Sequence, residues 1–298
     1  MQDDENIQNG KQALYNGKVL KYNPIIKSPA REGKEDIDMK KMMTLLLAVL
    51  MLCSCLIACG AEKETSDLAY IQERGKLIVG ITDYAPMDYK DENGEWTGFD
   101  AELSRLFAEE LGVECEFFVL ADWGKKFYEL ETKNIDVIWN GMTITDEVKL
   151  NTNCSDPYVI NAQVLVMKAD VVGNYADTAA LTGLTFAVEN GSAGQAALDE
   201  LGITGYVTLQ DQAAALMEVA AGTSDACVID ITMANAMTGE GTSYADLGIG
   251  ISLTSEEYGV GFRKESDVTE KFNAFMDKLL ADGTLDALAE KYSLTLVK

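Results

Sequence analysis

The sequence predicts an α/β fold with parallel sheets, because strand-like apolar runs alternate with helical segments along most of the chain. The first such run is KLIVGIT at 76–82, and FDAELSRLFAEELG after it has apolar side chains at helical spacing. The same alternation returns from LTFAVENG to DACVIDI in the second half. Residues 59–298 are long enough for two such units, so we expect two lobes rather than one.

The individual elements follow from the spacing of apolar residues and from turn residues. KDENGEWTG predicts a hairpin with a type I′ turn at Asn93-Gly94. Further strands are predicted at VECEFFVL, IDVIWNG and YVTL, and helices at WGKKFYELETK, QAALDEL and AAALMEVAAG. Two more helices are predicted near 267–282 and 284–293. The apolar residues that share one face of the first amphipathic helix are Leu103, Leu106, Phe107 and Leu111.

The missing histidines and the spacing of the cysteines exclude several kinds of catalytic and metal site. The chain has no histidine, which excludes Ser-His-Asp catalysis, Cys-His catalysis and His-containing zinc sites. Cys115, Cys154 and Cys227 lie far apart without CxxC spacing, which argues against the common metal and redox motifs. We expect them to be small buried apolar residues, with a Cys115–Cys154 disulfide left open. No metal and no cofactor is predicted.

The chain is strongly acidic beyond its N-terminal segments. Of its 24 basic and 49 acidic residues, 8 and 7 lie in 1–58, which leaves 16 and 42 in 59–298 and a net charge of −26 there. Such a surface repels phosphate backbones, so nucleic acid is not expected as a partner. The ordinary role of this charge is solubility, and it does not identify a ligand.

An apolar run near the N-terminus has the features of a secretory signal. The run over 42–58 is almost free of polar residues, and two lysines precede it. This pattern is typical of signal peptides, although the length of the run also allows an uncleaved membrane anchor. The run leads into LIACG, which resembles the lipobox of bacterial lipoproteins, where the cysteine is lipidated after cleavage. The sequence therefore predicts a lipoprotein signal peptide over 39–58, lipidation of Cys59 (for example with palmitate) and a lipidated tether over 59–65.

Residues 1–38 precede this signal and are polar without clear periodicity. Because Met39 stands directly before the two lysines, we expect translation to start there. Residues 1–38 would then be a non-native, unstructured extension.

A series of motifs from about residue 70 to 296 matches one known family in order and spacing. They are KLIVGIT, GFDAELSRLFAEELGV, ADWGKKFYELETKNIDVIWNGMTITDE, CSDPYV, VENGSAG, SDACVIDI, EEYGVGFRK and LLADGTLDALAEKYS. With these motifs the chain resembles the polar amino-acid-binding proteins of ABC importers, bacterial solute-binding family 3. Because several motifs agree at once, the resemblance is more specific than any single one of them.

The resemblance implies a two-lobed, periplasmic-binding-protein-like fold of type II, with a hinge and a ligand cleft between the lobes. Lobe one would span 66–162 plus 254–298, and lobe two 163–253. The chain would cross between them near Asn161–Gln163 and near Leu253–Glu257. The implied function is capture of an amino acid or related small polar solute, which hinge closure traps and an ABC importer permease receives. The protein would be a monomer on the outer face of the cell membrane, held by its lipid anchor.

An amino acid carries an ammonium and a carboxylate, and a buried site must satisfy both charges. Asp230 follows the apolar strand ACVI, and the matching aspartate of the family binds the α-ammonium of the ligand. Its alternative role is to cap the N-terminus of the following helix. Gly191, Ser192 and Ala193 join a strand to a helix, where backbone amides suit a carboxylate. The alternative there is an ordinary turn capped by Ser192.

Lobe one would supply the rest of the site. In NGMTITDE, the residues Gly141, Met142 and Thr143 match family residues that contact the amino and carboxylate groups of the ligand. Tyr84 and Trp123 would be the aromatic walls, with apolar packing as the alternative role for both.

One position departs from the family pattern. The family usually carries an arginine shortly after GMTIT, where it binds the α-carboxylate, and this chain has Val148 there. Lys149 cannot simply replace it, because one residue along a helix rotates the side chain by about 100°. Either the helix terminus holds the carboxylate with help from a lysine, or the ligand is not an ordinary α-amino acid.

Two other functions stay open alongside the non-enzymatic binding protein that we favour. Some proteins of this fold are amino-acid-forming dehydratases, and Glu189 beside the Gly-Ser loop is the candidate acid or base for that chemistry. The other function is a ligand sensor that acts through a membrane receptor. Such a sensor would need a partner, because the chain has no kinase-sized extension.

Overall fold

The computed structural model describes residues 66–298, which fold around two large β-sheets and a separate two-stranded hairpin. The predicted extension 1–38, the signal peptide 39–58, Cys59 and the tether 59–65 lie outside the described residues. Within residues 66–298, no helix is both long enough and apolar enough to cross a membrane.

The chain first builds most of lobe one. Its elements in order are α1 (Asp67–Arg74), β1 (Lys76–Ile81), β2 (Tyr89–Lys90), β3 (Trp96–Thr97), α2 (Phe99–Leu111), β4 (Glu114–Val119), a 3₁₀ turn (Trp123–Lys125), α3 (Lys126–Glu131), β5 (Val137–Thr143), α4 (Asp146–Asn151), β6 (Asn153–Cys154) and β7 (Val159–Asn161).

Lobe two follows, and the chain then returns to lobe one. Lobe two contains β8 (Gln163–Lys168), 3₁₀ turns at Val172–Asn174 and Thr178–Leu181, β9 (Phe186–Glu189), α5 (Ala193–Glu200), β10 (Tyr206–Leu209), α6 (Gln212–Ala221), β11 (Ala226–Asp230), α7 (Ile231–Met237) and β12 (Leu247–Ser252). The returning segment contains β13 (Glu256–Phe262), α8 (Val268–Ala281) and α9 (Thr284–Lys291).

Each of the two large sheets combines parallel with antiparallel strands. The strand order is β4-β1-β5-β13-β6 in lobe one, with β7 also paired to β13, and β10-β9-β11-β8-β12 in lobe two. Strands β4, β1 and β5 are parallel, as are β10, β9 and β11. Strands β13 and β8 run antiparallel to β5 and β11, because each enters its sheet directly from the other lobe and not through a crossover helix. The predicted α/β fold is confirmed, with mixed sheets in place of purely parallel ones.

The two passages between the lobes run side by side. Only Ala162 separates β7 from β8, and residues 253–255 separate β12 from β13. Glu256 pairs with Asn161 across the antiparallel ladder, and the Leu253 amide donates to the Gln163 carbonyl at 2.8 Å. Two short, adjacent connections of this kind have the geometry of a hinge.

The core of lobe one fixes the returning segment in place. Leu77 and Ile81 of β1 are fully buried beneath the helices. Phe272 of α8 packs edge-on against Phe107 and Trp139, with ring centroids 5.3 and 4.9 Å apart. These contacts join α2, β5 and α8 into one core, although α8 is distant in sequence.

Two local predictions are wrong. In the hairpin, a five-residue loop joins β2 to β3, and only Gly94 of the Asn93-Gly94 pair has a positive φ (83°), whereas a type I′ turn needs both. The Asp91 carboxylate stabilises the longer loop, since it accepts hydrogen bonds from the amides of Asn93 (2.8 Å) and Glu95 (2.9 Å). On α2, Leu106 is 37% exposed, because the buried face is narrower than the predicted stripe.

The three cysteines of the described chain are free thiols. Cys227 is fully buried, and Cys115 and Cys154 are half-buried without a bond between them. Burial raises the pKa of all three thiols, that of Cys115 to about 11. They therefore act as small apolar side chains, as predicted, and the disulfide that the sequence left open is not formed.

Candidate functional site

A cavity of about 510 Å³ lies between the lobes and collects every predicted ligand-binding residue. Its volume suits a small organic molecule. Strands β5, β9 and β11 all end at its wall, as expected for ligand sites at the carboxyl ends of strands in α/β sheets. The nine predicted residues on the wall are Asp230, Tyr84, Trp123, Gly141, Met142, Thr143, Gly191, Ser192 and Ala193.

Asp230 is the last residue of β11 and is only 4% exposed. Its side chain makes no capping hydrogen bond to α7, so the alternative role as an N-cap is wrong. The carboxylate accepts instead from the side-chain amides of Gln163 (2.8 Å), Asn161 and Gln212. Burial, followed by the charge of Glu256, raises the pKa of Asp230 to about 7. No cationic side chain of residues 66–298 pairs with it.

Glu256 is a second carboxylate at the cavity, and it is not among the residues predicted from the sequence. Its Oε2 accepts hydrogen bonds from Thr143 Oγ1 (2.9 Å), Gln163 Nε2 (3.0 Å) and Asn161 Nδ2 (3.1 Å). Asn161 and Gln163 also donate to Asp230, so the two carboxylates share donors that flank the first passage between the lobes. The one sequence signal for Glu256 was its position at the second predicted crossing.

The loop before α5 lies on the lobe-two side of the cavity. Ser192 caps the helix, since its Oγ accepts from the Gln195 amide at 3.1 Å. The Gly191 amide donates to the Gln195 side chain at 2.7 Å, whereas the amides of Ala193 and Gly194 in the first turn have no acceptor in the helix. The capped turn is therefore real, and the same helix N-terminus also lines the cavity.

Tyr84 and Gly141 contribute to the wall from lobe one. The Tyr84 hydroxyl hydrogen-bonds to the hydroxyls of Tyr258 and Thr232, and Thr232 belongs to lobe two. Gly141 has a φ of +56°, and a Cβ there would lie 2.6 Å from the Tyr84 ring, so a glycine is required. Its amide donates to Asp100 Oδ2 at 2.7 Å and is thus not free to contact a ligand.

Lys126 is the one cationic side chain that the described residues place on the cavity wall, and it too was not predicted from the sequence. It is 3% exposed, with its Nζ 4.8 Å from the centre of the Trp123 ring. Val148, at the position of the usual family arginine, is buried in the same apolar cluster as Trp123, and Lys149 is exposed. Helical spacing could have found Lys126, which lies three residues after Trp123 and four before the buried Leu130.

The wall is acidic apart from Lys126. Glu189 is 4% exposed, and burial together with the charge of Asp230 raises its pKa well above the usual range. No group of three or more metal-ligating side chains in 66–298 could hold a metal ion. The acidic residues on the wall are Asp146, Glu147, Glu189, Glu200, Asp230 and Glu256.

The lobes touch each other beside the cavity. Asn190 Nδ2 donates to Asp122 Oδ1 at 2.9 Å, and Lys126 Nζ donates to the Gly191 carbonyl at 2.9 Å. A Cβ on Gly191 would lie 2.7 Å from the Cα of Gly124, so the two loops meet backbone to backbone. The structure therefore shows the lobes in a closed arrangement.

Comparison with known proteins places the chain in a family. The model of the bacterial extracellular solute-binding proteins, family 3, matches residues 77–295. The arginine-binding extracellular protein ArtP of Bacillus subtilis is 31% identical over 262 residues, which cover 85% of this chain and 98% of ArtP.

Solved structures agree with this assignment. A mutant of ArgBP from T. maritima superposes with a TM-score of 0.71 at 35% identity, covering 76% of this chain and 98% of that one. The ancestral amino acid-binding protein AncCDT-1, a precursor of cyclohexadienyl dehydratase, has a TM-score of 0.69 at 33% identity and covers 76% and 99%. The two-lobed fold is thereby confirmed. This chain belongs to the bacterial extracellular solute-binding proteins, family 3.

Proposed function

We propose that this protein captures an amino acid outside the cell and delivers it to an ABC importer. The family is one of extracellular solute-binding proteins, and ArtP is named for arginine binding. In this proposal, the nine predicted residues on the cavity wall contact the ligand, Gly141 through atoms other than its amide, which is bonded to Asp100. Residues 66–162 plus 254–298 and residues 163–253 act as the two lobes, which close on the ligand about the paired passages.

The observation that carries the proposal is the environment of Asp230. A buried carboxylate costs free energy unless it is paired, and its donors here are the neutral amides of Asn161, Gln163 and Gln212. No cation of the described chain completes the pair. The ammonium of an amino acid in the cavity would supply the missing positive charge.

The charge of the cavity narrows the class of amino acid. Six acidic side chains and one lysine line the wall, and even with Glu189 held protonated by its raised pKa the acidic groups outnumber the lysine, which gives the cavity a negative potential. A ligand with a second positive charge benefits from that potential, whereas a ligand with an acidic side chain is repelled. We therefore expect the basic amino acids to bind more tightly than aspartate or glutamate.

Calorimetry tests the proposal directly. The protein is titrated with the common L-amino acids, and each one that binds is compared with its Nα-acetyl form, which keeps the side chain and carboxylate but lacks the ammonium charge. At least one amino acid, with basic ones foremost, is expected to bind, and its acetylated form is not. Binding of acetylated forms with equal affinity, or binding of no amino acid, would contradict the proposal.

Glu189 supports a second candidate function, a dehydratase on the same fold. It lies on the cavity wall with a raised pKa, which suits a carboxylic acid that donates a proton. AncCDT-1, described as a dehydratase precursor, shares the fold. Mass spectrometry of cyclohexadienyl substrates after incubation would show loss of water, abolished by Glu189→Gln, if this function were present. We favour binding without turnover.

A lipid anchor is part of the proposed function. LIACG after a basic and apolar segment favours cleavage before Cys59 and lipidation of its thiol. Metabolic labelling with a clickable palmitate analogue should mark the wild-type protein and leave Cys59→Ala unlabelled. Labelling that survives the substitution would exclude Cys59 as the site.

A further inference from the structure

Lys126 is a buried cation whose role the proposed function leaves unexplained. Its side chain is 3% exposed and lies on the cavity wall. No carboxylate of the part of the chain that the structure describes forms a salt bridge with it. Because an unpaired buried ammonium is costly, the cavity holds a positive charge that still needs a partner.

The hydrogen bonds of Lys126 leave one donor for that partner. An ammonium has three N–H donors. Nζ donates to the carbonyl of Gly191 at 2.9 Å and, more weakly, to that of Trp123 at 3.4 Å. The Phe127 ring, whose centre lies 4.6 Å away, covers the ammonium further without accepting a conventional hydrogen bond. One N–H is therefore available to an acceptor in the cavity.

The arginines of lobe one cannot take the role of the missing family arginine. Val148 at that position is apolar and 3% exposed. Arg74 and Arg263 both pair with Asp136 in the core, and Arg105 donates to backbone carbonyls. None of these three guanidinium groups lines the cavity.

Lys126 meets lobe two at the loop that begins α5. Its bond is to the carbonyl of Gly191, the residue directly before the N-cap Ser192, so the ammonium is bound to the loop that leads into the positive end of the helix. An ammonium next to a helix N-terminus forms one positive corner of an otherwise acidic cavity. Lys126 and Asp230 form no salt bridge with each other, so the positive corner and the carboxylate both stay open to a zwitterion.

We infer that Lys126 binds the α-carboxylate of the ligand, in place of the arginine that this chain lacks, while it holds lobe two through the Gly191 carbonyl. The inference rests on the proposed function, since it assumes an amino acid in the cavity. One ammonium then contacts both the ligand and the opposite lobe. Binding of the carboxylate therefore favours the closed arrangement of the lobes.

The test compares amino acids with their α-carboxamides, which keep the ammonium and the side chain but lose the negative charge. The probes are L-arginine, L-lysine, L-histidine and L-glutamine and the four matching amides, titrated calorimetrically into wild type, Lys126→Met, Lys126→Arg and Lys125→Met. Lys125 is the matched control, because it is the neighbouring lysine but is exposed and lies off the cavity wall.

Replacing Lys126 should weaken the binding of the acids more than the binding of their amides. Lys126→Met should weaken binding of the acid by about 30-fold or more and that of its amide by less than about threefold. Lys126→Arg should restore much of the preference for the acid, and Lys125→Met should behave as wild type. If Lys126→Met loses affinity equally for acid and amide, Lys126 acts only as a contact between the lobes. If it loses no affinity, Lys126 does not belong to the binding site. Either result overturns the inference while the proposed function stands.

If wild type binds none of the four acids, the same comparison is made with whichever common L-amino acid it binds and the matching amide. If wild type binds no common L-amino acid, the proposed function fails, and the inference fails with it. A second measurement on wild type covers the case in which Lys126→Met does not fold. Nitrogen-15 NMR of the lysine ammonium groups follows the titration of Lys126 with each probe present. The acid should hold Lys126 protonated to higher pH and the amide should not, whereas identical titrations would overturn the inference.

Discussion

Buried charges are arranged in opposite ways in the core of lobe one and at the cleft. In the core, Arg74 and Arg263 both pair with Asp136, which is almost fully buried. At the cleft, Asp230 and Lys126 are nearly as deeply buried, yet neither has an oppositely charged partner among residues 66–298. The core completes its charges within the chain, so breaking one of these pairs would strand a buried charge. The cleft leaves its charges to be completed by a ligand.

The largest expected effect comes from removing the charge of Asp136, the carboxylate that Arg74 and Arg263 share. Asp136 accepts from Arg263 Nη2 at 3.0 Å and from the Ile78 amide at 2.8 Å, so Asp136→Asn leaves Arg74 without a carboxylate partner and Arg263 with Asp67 alone. We expect the free energy of unfolding to fall by about 3–5 kcal/mol, because breaking a buried pair strands the remaining charge. Urea denaturation measures it. A loss below about 1 kcal/mol would show that the core does not depend on this cluster.

The matching change at the cleft should affect binding and spare stability. Asp230→Asn keeps an acceptor oxygen for Gln163 and removes the charge that a ligand ammonium needs. Affinity should fall by about 2–5 kcal/mol, roughly 30- to 5,000-fold. Because burial already raises the pKa of Asp230 to about 7, the folded protein gains little from its ionised form, and the melting temperature should stay level or rise. If Asp230→Asn lowers the melting temperature but binds the ligand with normal affinity, the role of Asp230 is structural.

The pH dependence of affinity should reflect both unpaired charges. Asp230, with a pKa of about 7, must lose its proton to bind an ammonium, so affinity is lost as the pH falls through about 7. Burial lowers the pKa of Lys126 to about 8, against the opposing charges of Glu189, Glu147 and Asp122, so affinity for a carboxylate is lost as the pH rises through about 8. On each side of the optimum, the affinity should fall by up to about tenfold per pH unit.

Two controls assign the flanks of this profile. Lys126→Arg stays charged and should remove the alkaline flank, apart from the titration of the ligand's own ammonium. Asp230→Asn should remove the acidic flank. A profile that is unchanged in both variants would assign the titrations to other groups.

The smallest expected effect concerns the contact between the lobes. Gly191 has a φ of +69° and faces Gly124, whereas Gly202 has a φ of +71° and open space around it. Gly191→Ala and Gly202→Ala should each cost about 1 kcal/mol of stability, because both place a side chain in the left-handed region. Only Gly191→Ala should also weaken binding, by about fivefold, since its Cβ would obstruct closure. Equal affinities in the two variants would show that closure does not need this contact.

The fold could be predicted wherever the signal was local. The spacing of apolar residues predicted β1, β9 and β11 within about two residues. The place of Asp230 after the strand ACVI made it a candidate, and its ligand-binding role was implied by the family resemblance. The antiparallel entry of β8 and β13 could not be predicted, because it depends on pairing between distant segments. Glu256 lies near Asp230 because β13 pairs with β7, which is distant in sequence, and the two carboxylates then accept from the same Gln163 amide.

Lys126 shows a different limit of the sequence. Its charge favoured an exposed position, although its spacing from Trp123 placed it on the buried face of a helix. At Lys126, the helical spacing therefore predicted a buried side chain, whereas the charge predicted an exposed one. Such a disagreement is itself a signal of a functional residue, since a protein buries an unpaired charge at a cost that a structural role does not repay.

A crystal structure of the protein with the amino acid that binds most tightly would show directly whether the two unpaired charges of the cleft bind a ligand. We expect the ligand ammonium within hydrogen-bonding distance, about 2.7–3.2 Å, of the Asp230 carboxylate. We expect a ligand carboxylate oxygen at a similar distance from Lys126 Nζ. A ligand outside the cavity, or one whose ammonium contacts neither Asp230 nor Glu256 and whose carboxylate lies away from Lys126, would contradict this expectation.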